Sequence, residues 1–183
     1  MTGRTDFTDD EWAALRLGLI AGEEAVRAAA PTGWFGRFKE SRALKREWKT
    51  LAERYGDSPL AQALILEEDV DPTATVRVEE GAAGAFIDER IAACHAAAAV
   101  LATKVDPRAA EVYVTAAIDL AETAALADLG HGKQDSMTRA EKIVLDRIAV
   151  AFGRKDYQAP GAGDEALDPS FTVESAQTRN ITT

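Results

Sequence analysis

Few residues in this sequence have the types and spacing to do chemistry. Asp128, Asp135 and Glu141, with His131 among them, come nearest: three carboxylates and an imidazole suit a divalent cation. The alternative is a surface loop in which Glu141 only completes a helix cap. The Asp-x-Asp-x-Asp-Gly spacing of an EF-hand is absent. Ala127 to Lys133 has the outline of a phosphate-binding loop but lacks its first glycine and its Ser/Thr, and a helix, not a strand, precedes it. Cys94 and His95 are neighbours on one predicted helix, so they point about 100° apart and make no dyad. They read as a buried cysteine and a boundary histidine. The sequence has two histidines and no evident Ser/His/Asp set, so most acid–base schemes lack parts.

Charge attraction is the other available chemistry. Between Trp34 and Tyr55, Arg37, Lys39, Arg42, Lys45, Arg46, Lys49 and Arg54 stand against Glu40, Glu47 and Glu53, inside a chain of net charge −10. On a helical wheel Lys39, Arg42, Lys45, Arg46 and Lys49 form one stripe. Such a stripe suits an acidic partner or an anionic membrane surface. It is equally what a solvated helix face looks like when the aromatic face beside it belongs to the core.

The elements that must position these residues are helical. Thr8-Asp9-Asp10-Glu11 is a capping box, with Phe7 and Trp12 at the staple positions. The helix it opens continues through Leu15, Leu19, Ile20 and Val26 and stops before Pro31. Gly18 and Gly22 within it cost helix stability, about 1 kcal/mol each, which close packing would justify. Trp34, Phe38, Ser41, Leu44, Trp48, Leu51 and Tyr55 recur every three or four residues and define a second helix. Ser58-Pro59 opens a short third. Residues 73–80 alternate weakly, but without a second strand nearby they read as an extended connector. Helices follow over about Ala85 to Thr103 and from Asp106-Pro107 to about Leu129. A last one opens at the Thr138-Arg-Ala-Glu141 capping box and stops at Gly153.

The stretch from Asp106 to Gly153 resembles the second half of the tellurite-resistance protein B (TerB-like) family, which also occurs in DnaJ-type co-chaperones. The likeness rests on Ala124-Ala-Leu-Ala-Asp128, a loop containing Gly130, Ser136-Met-Thr-Arg-Ala-Glu141, and Phe152-Gly153. Here Leu129 separates Asp128 from Gly130 and the loop is longer than in the family. The resemblance implies an all-helical bundle, a role in stress response, and metal association through Asp128, Gly130, Ser136 or Thr138, and Glu141.

Composition bounds the rest. The 183 residues are 46% hydrophobic, mostly alanine and leucine, enough for one helical core. An acidic surface repels polyanions, so no nucleic-acid partner is expected. A single cysteine, an N-terminus without a signal-like apolar run and no apolar stretch near the roughly 20 residues of a membrane span together point to the cytoplasm. The sequence therefore predicts an all-α, compact bundle of about six helices. Residues 1–153 form one domain, and 154–183 a flexible, disordered polar tail. It predicts a non-enzymatic binding or adaptor module with a protein partner and no cofactor. The alternatives are a peripheral protein docking through helix 34–55 on an anionic membrane or an acidic partner and, third, a metal-dependent enzyme; the candidate metal ligands are Asp128, Asp135 and Glu141, with no catalytic residue assigned.

Overall fold

The computed structural model describes residues 3–29, 34–56, 58–65, 76, 78–79, 81–127 and 137–160; the side chains of 34–41 and 127 lie outside that description. It is an all-α bundle. A 3-10 turn at Arg4–Asp6 leads into α1 (Asp9–Ala29), α2 (Trp34–Arg54), α3 (Pro59–Ile65), α4 (Ala83–Lys104), α5 (Pro107–Ala127) and α6 (Arg139–Ala151). No strand occurs among the described residues; 76, 78 and 79, the described part of the connector, are neither helix nor strand, and Val78 leans on the core.

The capped starts form as their sequences dictate. At α1 the Thr8 amide donates to Glu11 Oε2 (2.8 Å) and the Glu11 amide to Thr8 Oγ1 (3.2 Å). Phe7 and Trp12 are both buried, with ring centroids 5.6 Å apart, so the chain enters the helix stapled to its first turn. At α6 the Thr138 amide donates to Glu141 Oε2 (2.7 Å) and the Glu141 amide to Thr138 Oγ1 (3.2 Å). That helix ends in a Schellman turn: Arg154 N–H donates to Ala149 O and Gly153 N–H to Val150 O. Gly153 takes φ +83°, where a side chain would be strained.

α1 is the central helix. It packs on α4 and α5 and touches α6, while α5 also carries α2 and α3. Burial follows this placement: Leu15, Leu19, Ala21, Ala25 and Val26 of α1 meet Ile87, Cys94, Ala97, Tyr113, Leu120, Leu145 and Ile148. Tyr113 is fully buried and donates from its hydroxyl to Leu15 O at 2.6 Å, tying α5 to α1. Close approach depends on small residues. A Cβ on Gly18 would lie 2.3 Å from Ala97 Cβ, and one on Gly22 would lie 3.3 Å from Ala121 Cβ. Ion pairs tie the helices together at the rim: Lys104–Glu11 (2.7 Å), Arg147–Asp88 (2.6 Å) and Arg90–Glu24 (2.7 Å). Arg90 also lies over the Phe86 ring.

The packed chain extends past Gly153. Arg154 bonds Glu111 and Thr115, Tyr157 donates to Glu122 Oε1 at 2.6 Å, and Ala159 is buried. Residues 154–160, placed in the tail by their lack of periodicity, thus lie along α5 with no helix of their own. The remainder of the predicted tail, 161–183, lies outside the described residues.

Candidate binding surfaces

α2 divides its circumference cleanly where its side chains are described. Leu44 and Leu51 are fully buried, and Trp48 and Tyr55 are partly buried against the core. With 100° per residue these four share one side, and Arg42, Lys45, Arg46 and Lys49 fall on the other. All four of these cations are exposed. Lys49 makes a loose pair with Glu53 at 3.9 Å, both largely in water, a contact that contributes little. Arg42, Lys45 and Arg46 have no ion-pair partner among the described residues. The side chain of Lys39, the fifth predicted member, lies outside the description.

The flank of α2 facing α5 is also polar. Arg54 pairs with Asp119 at 2.8 Å and more distantly with Glu47 at 3.9 Å. Burial holds the Asp119 carboxyl above its usual range, and the Arg54 guanidinium only partly offsets this. Two shallow grooves share Asp119. One, of about 210 Å³, runs between α2 and α5 past Glu47, Arg54, Glu122 and Leu126. The other, of about 390 Å³, lies between α5 and the 153–157 segment, lined by Thr115, Ile118, Arg154, Lys155 and Tyr157. The Tyr157 phenol is pushed up by burial and by the Glu122 carboxylate it bonds, so it stays a neutral donor. Across the grooves Asp119 and Glu122 already face the donors of Arg54 and Tyr157, a set-up for holding the elements together. Sequence reasoning missed Asp119, Glu122, Arg154 and Tyr157; an aromatic in an otherwise polar ending was the one available signal.

The predicted metal residues are not brought together by what is described. Asp128, His131 and Asp135 lie outside the described residues, and Glu141 is nearly buried, with its Oε2 engaged by the Thr138 amide. Among the described residues no group of three or more His, Cys, Asp or Glu side chains is placed to hold a metal ion. Cys94 is fully buried, and desolvation pushes its thiol up to about 12, whereas His95 on the adjacent position is exposed. Because the thiolate is the reactive form, Ellman's reagent at pH 8 is expected to label native Cys94 no faster than the protein unfolds, and denaturant should release the reaction. Rapid labelling of the native protein would show an accessible, activated thiol instead.

No described helix is long and apolar enough to cross a membrane. No family model, curated protein or solved structure matches this chain.

Proposed function

We propose that the protein is a non-enzymatic helical binding module that docks an acidic segment of a partner protein on the outer face of α2. One observation carries this reading: Arg42, Lys45 and Arg46 stand exposed and unpaired among the described residues, on an otherwise acidic chain. The inner face of the same helix holds Leu44 and Leu51 in the core, so α2 presents charge without needing to leave the bundle. The TerB-like resemblance of Asp106 to Gly153 supports the same class of module, one acting in stress response in the cytoplasm. Partly buried Trp48 disfavours the membrane alternative, because inserting α2 into lipid would strip the core of its packing.

Charge reversal tests the proposal. Each exposed ion pair contributes up to about 1 kcal/mol, and reversal replaces attraction with repulsion. The variant Arg42→Glu/Lys49→Glu is therefore expected to bind a glutamate-rich peptide more than about tenfold more weakly than the parent, by calorimetry at low salt. The parent's own affinity should fall steeply as salt rises. Equal affinities for parent and variant would refute the docking face. Stronger binding to phosphatidylserine vesicles than to the peptide, with a blue shift of tryptophan emission, would favour the membrane alternative instead.

A further inference from the structure

The stripe on α2 has a candidate occupant within the same chain. Tyr157 bonds Glu122, which lines the groove that α2 closes with Glu47 and Arg54. Ala159 is buried with its backbone beside Asp146 on α6, which fixes where the chain leaves the bundle. The described chain thus stops at Pro160, three residues beyond the Tyr157–Glu122 bond that borders the α2 groove. From Gly161 to Glu174 the sequence carries Asp164, Glu165, Asp168 and Glu174 and no lysine or arginine. Extended chain covers about 3.3 Å per residue, so Asp164 reaches about 13 Å from Pro160 and Asp168 about 26 Å. The stripe from Arg42 to Lys49 is only about 10 Å long, and a helix with its side chains about 10 Å across. From Asp164 to Asp168 the extended chain spans about 13 Å, so the acidic stretch matches the stripe in length.

We propose that the acidic stretch Asp164–Asp168 of this chain docks on the cationic face of α2 and screens it, so that an external acidic partner must displace it. This regulation rests on the reading of α2 as a docking face. Tethering makes it effective. A covalent link of a few residues gives an effective concentration on the order of millimolar, so even a contact too weak to persist between separate molecules is populated. Charge is complementary and the match needs no apolar surface, which fits a face made of Arg42, Lys45, Arg46 and Lys49.

The test uses the full chain. A nitroxide on Ser170→Cys reports the segment's position, since Cys94 is buried and slow to react. At low salt the amide resonances of residues 42–49 are expected to broaden, and the broadening should vanish when Asp164→Asn, Glu165→Gln and Asp168→Asn are combined. Sharp resonances at 42–49 in the spin-labelled protein with its native acidic residues would overturn the proposal. A second arm measures affinity for a glutamate-rich peptide. The neutralised variant should bind it at least about threefold more tightly than the parent. A control with the exposed Asp10, Glu79 and Glu89 neutralised accounts for net charge. Broadening without that gain would show contact but refute screening. If both forms bind the peptide equally and no broadening occurs, the docking face stands and the intramolecular contact falls. If broadening occurs and neither form binds the peptide, the external partner falls and the contact stands.

Discussion

Gly18→Ala is expected to destabilise the protein by about 2 kcal/mol, although helix propensity alone predicts a gain of about 1 kcal/mol. The reversal of sign comes from packing. The added methyl would meet Ala97 Cβ at 2.3 Å, Tyr113 Oη at 3.0 Å and the Ala93 carbonyl at 3.3 Å. Two of these atoms are fixed to the α4 backbone, and the third belongs to a hydroxyl held on Leu15 O. None can swing aside, so α1 and α4 must separate, which loosens the contact on which the bundle is centred. For a domain of this size the loss corresponds to a fall of about 4–8 °C in melting temperature. Gly22→Ala is the comparison. Its methyl would meet Ala121 Cβ and Ile148 Cγ2 at 3.3 Å, and an isoleucine side chain can yield by a few tenths of an ångström. It should stay within about 1 kcal/mol of the parent. Thermal denaturation of both variants checks the pair; a stabilised Gly18→Ala would mean that α1 and α4 do not approach as closely as described.

Arg27→Met should be costlier, at about 3 kcal/mol or more. Glu23 and Arg27 face each other one turn apart on α1 at 3.3 Å, with side chains only 1% and 6% exposed. A pair this deep has already lost its hydration. Removing the guanidinium leaves the Glu23 carboxylate in a low-dielectric setting without its neighbouring cation, whereas replacing both groups by apolar side chains removes the problem. Glu23→Leu/Arg27→Met is therefore expected to recover part of the loss, the remainder reflecting the attraction of Arg27 for the half-buried Glu24, and the double-mutant cycle followed by urea denaturation should show a clear coupling energy. Additive losses would show that the two groups act independently.

These two sites show what was legible in the sequence and what was not. Both capping boxes, the Phe7–Trp12 staple and the close-packing glycines could be read, because each is a local rule whose residues lie within one or two turns. The cationic side of α2 was readable for the same reason: it follows from helical periodicity. The depth of Glu23 and Arg27 was not. An i, i+4 acid–base pair looks the same on a surface helix as on one surrounded by α4, α5 and α6, and only the tertiary arrangement makes α1 central. The grooves at Asp119 were hidden for a related reason. Arg54, Asp119 and Tyr157 are far apart in sequence, and residues 154–160 carry no periodicity that would announce their packing on α5.

For α2 to act as a docking face it must present its charge while its apolar side stays in the core. Mapping amide chemical-shift changes on the full chain during titration with a glutamate-rich peptide tests this most directly. Salt-sensitive amide shifts are expected to concentrate at residues 42–49, with the α1 amides and, in a methyl spectrum of the same titration, the Leu44 and Leu51 methyls unmoved. Shifts centred on Asp119, Glu122 and Tyr157, or none anywhere at low salt and excess peptide, would contradict a docking face on α2.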